Sequence, residues 1–179
     1  MTKVKKNMMF FVALSIIALI SVYTFFQVNR NIPQEILKFP HTTLKEVSSP
    51  VKEINGEIEN ISLDLEKVIK KTDNQFNIFG LGLAAPQIGY NKRIIVLKES
   101  YNNYKTMINP EIVESKWKLP LPTKCLSVKG IHFIKRNLWY KIKYEDIKGK
   151  IHEEIITGFK AVAFHQEIDH LNGILISDY

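Results

Sequence analysis

With 179 residues and 45% hydrophobic content, the chain can bury one real core, which excludes a disordered polymer and calls for a single globular domain. A single cysteine, Cys125, excludes an internal disulfide and leaves packing, metal ligation or nucleophilic attack as roles for that thiol. The formal charge of +7 invites a nucleic-acid partner, yet the lysines are interspersed with acids, as over Lys141 to Asp146, and no arginine-rich or glycine-aromatic motif accompanies them; direct nucleic-acid recognition is not expected.

The first 34 residues hold Lys3, Lys5, Lys6 and Arg30 and no acid, so this leader supplies +4 of the +7. From Met8 to Phe26 nineteen residues run without a charge. As a helix rising about 1.5 Å per residue they measure about 28 Å, close to the thickness of a bilayer core. Ser21 to Gln27 reads SVYTFFQ, too bulky for a signal-peptidase site, so the run predicts an uncleaved single-pass anchor rather than a removed signal. A buried core helix is poorly placed there, after three lysines and before the polar NRNIPQ. Lys3, Lys5 and Lys6 outnumber Arg30 and Lys38, so the charge bias keeps the N-terminus cytoplasmic and sends the domain across the membrane.

Asn31 to Gln34 is a short polar link containing Pro33, which places the leader at 1–34 and the domain at 35–179. Apolar residues from Leu63 to Ile69 recur at helical spacing, with Asn60 or Ser62 available as a cap, and predict an amphipathic helix. Arg93 to Lys98, Tyr104 to Asn109, Leu138 to Glu145 and Lys150 to Thr157 are rich in β-branched and aromatic residues and predict strands, with a turn at Asp146 to Gly149. Phe159 to Leu171 predicts a last helix stopped by Asn172-Gly173. These pieces make an α+β fold.

Three places offer chemistry. Gly80 to Gly89 reads GLGLAAPQIG and lacks the lysine and hydroxyl of a phosphate-binding loop; its small residues allow a close backbone approach, and Gln87 offers an amide donor to a developing oxyanion. Taken alone it is more often a tight turn into a strand. Cys125 stands in TKCLS, a loop after Pro120 and Pro122, where an inert buried thiol is the commoner case. The last helix carries HQEIDH over His165 to His170; residues four apart share a face, so His170 pairs with Gln166, and Glu167 lies beside them in reach of a metal-bound water.

Taken together and in this order, GLGLAAPQIG, CLS and QEIDHLNG resemble the three signature motifs of peptide deformylases. ILKFPHTTLKEVSSPV resembles the family's opening segment, and WYKIKYEDIKGK its strand and turn before the last helix, so the likeness covers about Ile36 to Tyr179. The resemblance implies antiparallel β-sheets around a central C-terminal motif helix. It implies a metal-dependent hydrolase that removes formyl from the N-terminal methionine of nascent chains close to the ribosome, on the cytoplasmic side, against the orientation the charge bias predicts. It implies a divalent ion, iron(II) with zinc or nickel as alternatives, held by Cys125 and His170. It makes Glu167 the general base, Gln87 and the Leu126 N–H the oxyanion donors, and Gly82 the place where the substrate backbone passes.

Two of the three motifs depart from that pattern. The family has histidine where this chain has Gln166, and its histidine has moved to His165, five residues and about 140° of helix from His170. His165 can substitute only through a locally widened turn. Thr123 and Lys124 replace the glutamate and glycine that precede the family's cysteine; the lysine can favour a thiolate by charge. The departures support an alternative reading, a catalytically inactive, membrane-tethered binder of peptides or of a partner, in which the metal is absent.

Overall fold

The computed structural model describes residues 35–72 and 82–179. Helix α1, Gly56–Thr72, begins earlier than its apolar spacing suggests, because the Asn55 side chain accepts from the N–H groups of Glu57 (3.0 Å) and Ile58 (3.3 Å). Asn60 and Ser62, the caps expected from the sequence, sit inside the helix, where each donates to the carbonyl four residues back.

Among the described residues five antiparallel strands form one sheet in the order β1-β2-β3-β4-β5: β1 Gly82–Ala84, β2 Ile94–Ser100, β3 Asn103–Lys124, β4 Ile131–Glu145 and β5 Ile151–Thr157. The second helix, α2, spans Gly158–Leu171. The unbroken apolar run of β2 has a direct cause. Its Ile94 and Val96 pack with Ile61, Leu65 and Ile69 of α1, while Ile95 and Leu97 pack with Phe164, Ile168 and Leu171 of α2, so alternate residues serve two helices on opposite faces. The α+β class holds, with one sheet among the described residues where several were expected.

β3 and β4 are far longer than the sequence signal. β2 pairs only with Asn103–Ile108 of β3, so beyond that point one edge of β3 has no neighbouring strand among the described residues. Pro120 and Pro122 lie on this stretch, where a missing N–H is tolerated; the same prolines make it read as a loop. Gly173 ends α2 at φ 70° in a Schellman arrangement, with Ile174 N–H donating to Asp169 O (2.9 Å) and Gly173 N–H to His170 O (3.2 Å).

The described residues belong to one compact unit. Among the described residues no helix is long and apolar enough to cross a membrane, and the anchor expected at 8–26 lies outside them.

Candidate active site

The site is assembled by hydrogen bonds between segments distant in sequence. The opening segment stitches two of them together: Leu37 N–H donates to Gln87 O (2.8 Å) and Phe39 N–H to Ser127 O (2.9 Å). Gln87 sits in a 3₁₀ turn, Ala85–Ile88, with its Oε1 accepting from Ala84 N–H (2.8 Å) and its Nε2 donating to Ser127 Oγ (3.1 Å). Holding the oxygen this way fixes which end of the amide donates and leaves the second N–H of Nε2 for a ligand. Leu126, next to Cys125, has its carbonyl fixed by Lys38 Nζ at 2.7 Å. A cavity of about 520 Å³ opens beside this loop, lined in part by Lys38, Phe39, Leu126, Ser127 and His132.

Cys125 and His170 meet, Sγ to Nε2, at 3.2 Å. Burial pushes the thiol up to about 11, against the Ser127 N–H that donates to it at 3.3 Å, and burial pushes the imidazole down to about 4. At neutral pH the thiol and the imidazole are therefore both uncharged, and among the described residues Nδ1 of His170 has no hydrogen-bond partner. The cation acting on the thiol is Lys38. Lys124 stands opposite Ile131 on an exposed face of the hairpin, while Thr123 is buried.

Glu167 is buried on α2 with Oε2 unpaired. Burial first, and the nearby Asp169 second, raise its carboxyl to about 8. Its side chain lies against Gly82: a Cβ at that position would come 2.7 Å from Glu167 Cγ and 2.8 Å from Leu97 Cδ2. Gly82→Ala is therefore expected to displace Glu167 and to lower stability by about 1–3 kcal/mol, measured by urea unfolding. An unchanged midpoint would mean the approach is not tight.

His165 is not brought to this cluster. Its Nδ1 accepts from Tyr140 O–H at 2.8 Å and its Nε2 lies 3.9 Å from Asp169 Oδ1, while α2 is regular α-helix from end to end, without the widened turn a substitute ligand needs. Gln166, 8% exposed, stands one turn before His170 on the same helix face. Beneath the cluster Arg136, fully buried, donates through Nη1 to Asp169 Oδ2, which also accepts from Tyr179 O–H at 2.9 Å. Sequence reasoning missed Arg136, Tyr140, Ser127 and Lys38, since none belongs to a chemical pattern until the sheet aligns it. Ser127 alone had a signal, as the residue closing CLS.

The donors fit a divalent ion at two positions, a thiol and a neutral imidazole already in contact. The third candidate is the Gln166 amide, a poorer donor than imidazole, and among the described residues no three His, Cys, Asp and Glu side chains gather. His170 Nδ1 also lacks the acceptor that a ligating histidine usually has. The set suits an ion held loosely.

The sequence profile of the family described as polypeptide deformylase matches residues 33–179. A peptide deformylase of Thermodesulfovibrio yellowstonii is 39% identical over 152 residues, covering 82% of this chain and 84% of that protein. The crystal structure of peptide deformylase from Thermotoga maritima superposes with a TM-score of 0.72 at 32% identity, over 80% of this chain and 95% of that one. A Met-Ala-Ser-bound class I type b peptide deformylase from Acinetobacter baumannii superposes with a TM-score of 0.73 at 29% identity, over 81% and 97%.

Proposed function

This chain belongs to the polypeptide deformylase family, and we propose that it hydrolyses the formyl group of N-formylmethionyl peptides and nascent chains, with a divalent metal held by Cys125 and His170 and weakly by the Gln166 amide. The observation that carries the reading is the 3.2 Å contact between Cys125 Sγ and His170 Nε2, two donors brought together from 45 residues apart. The Acinetobacter relative's bound Met-Ala-Ser is a peptide beginning with methionine and supports the substrate class.

The metal would supply Lewis acidity and a water of lowered pKa. The remaining work falls to the chain. Gln87 Nε2, fixed by Ser127 and Ala84, donates its free N–H to the formyl oxygen, and the Leu126 N–H is the second donor; such oriented donors are worth most where charge develops. Glu167 Oε2, with no competing partner, takes a proton from the attacking water and returns it to the departing methionine amine. A carboxyl titrating near 8 suits transfer in both directions at neutral pH. The absence of a side chain at Gly82 makes room for Glu167 to pack against the β1 backbone. The uncharged run at 8–26 is proposed to tether this domain to a membrane.

Formate release from an N-formylmethionyl peptide tests the reading, using the full chain in detergent, prepared without oxygen and supplied with iron(II) or nickel(II). Release at least about 100-fold above a Glu167→Ala control is expected. The amide at 166 favours a second reading, a fold that binds formyl-peptides without cleaving them. No release, with formyl-peptide binding retained in a calorimetric titration, would establish that reading in place of the first.

A further inference from the structure

From Ser115 to Tyr144 thirty residues contain no acid and eight basic residues. Together with the leader's +4 this exceeds the chain's +7, so the remainder of the chain is net acidic and the positive charge is concentrated in the leader and the β3–β4 hairpin. This asymmetry replaces the expectation of lysines evenly mixed with acids.

The hairpin register sorts those residues by face. Residues directly opposite in an antiparallel pair share a face, and the pairs Leu119↔Arg136, Leu121↔Ile134 and Thr123↔His132 carry buried Arg136, Ile134 and Thr123. The alternate pairs Lys118↔Asn137, Pro120↔Lys135, Pro122↔Phe133 and Lys124↔Ile131 form the other face, where Phe133 is 78% and Ile131 60% exposed. Lys118, Lys124 and Lys135 are exposed there and make no ion pair with a carboxylate among the described residues, unlike Lys116 and Lys141, which pair with Glu114 and Glu153.

We propose that this face of the β3–β4 hairpin lies on an anionic lipid bilayer, with Phe133 and Ile131 entering the headgroup region and Lys118, Lys124 and Lys135 engaging lipid phosphates. Apolar side chains ringed by lysines without acids match that surface in both respects, burial of apolar area and attraction of charge. A nucleic acid would reward the lysines and could stack a base on Phe133, but it gains nothing from the exposed aliphatic Ile131, and the hairpin's single arginine is buried and paired to Asp169. Because the strand runs directly into Cys125, docking here would hold the site close to the membrane surface. The face is independent of the leader and of the hydrolytic reading, since none of its side chains belongs to the proposed metal or oxyanion groups.

The test is amine labelling of the full chain in vesicles, read by mass spectrometry, with phosphatidylglycerol-containing vesicles compared with phosphatidylcholine alone. Labelling of Lys118, Lys124 and Lys135 is expected to slow by about ten-fold in the anionic vesicles relative to exposed Lys52 and Lys148, and Phe133→Glu with Lys135→Glu is expected to abolish the difference. Equal labelling in both vesicle types overturns the proposal, whether or not the leader anchors the chain. So does protection of the same lysines by a structured RNA without vesicles, where anionic vesicles give none.

Discussion

Restoring imidazole at position 166, as Gln166→His combined with His165→Gln, is expected to tighten nickel(II) or zinc(II) binding by at least about 100-fold in a calorimetric titration of the full chain. Positions 166 and 170 lie one turn apart on α2, so a histidine at 166 stands beside the existing Cys125–His170 pair and completes three good donors. The paired change respects both surroundings. His165 serves Tyr140 through a single 2.8 Å hydrogen bond, an acceptor role that a glutamine amide oxygen can also fill. Formyl-peptide hydrolysis is expected to rise with the affinity. Unchanged metal affinity in a folded double variant would show that the exchange at 165 and 166 is not what weakens the site, and would direct attention to the unpaired His170 Nδ1.

Asp169→Ala is expected to cost about 3–5 kcal/mol, since it leaves the Arg136 guanidinium buried without its counter-ion. Arg136 is fully buried, and among the described residues its Nε and Nη2 have no partner, so Asp169 is its one charged partner there, with the Tyr179 hydroxyl a longer 3.4 Å acceptor from Nη1. The pair also joins β4 to α2 between Glu167 and His170, so its loss should disturb both. Tyr179→Phe removes only a neutral hydroxyl, which donates to the same carboxylate and accepts a longer bond (3.4 Å) from Arg136 Nη1, and is expected to cost about 1 kcal/mol. Urea unfolding of both variants measures the contrast. A loss under about 1 kcal/mol for Asp169→Ala would mean that water reaches Arg136 and the pair is not desolvated.

Periodic signals survived folding where one force dominated. The stop at Asn172-Gly173 is such a case: a residue at φ 70° whose Cβ would lie 2.5 Å from Lys45 O has to be glycine, and the glycine is visible in the sequence. The β3–β4 hairpin is the opposite case. Pro120 and Pro122 read as loop because local rules forbid proline in a paired strand, and only the unpaired edge of β3 makes them compatible with one. Its lysines likewise looked scattered until the register placed Lys118, Lys124 and Lys135 on one face.

The order of residues alone determined the family, through three motifs whose types and spacing match, and it exposed the exchange at 165 and 166. Those are facts about which groups the chain possesses. Tertiary structure decided what the groups meet. It set Cys125 against His170, fixed the donating end of Gln87 through Ser127, and turned His165 to Tyr140 and away from the pair. It also raised Glu167 by burying it beneath Gly82. Contact and desolvation depend on segments tens of residues apart, and no local pattern encodes the register that brings those segments together.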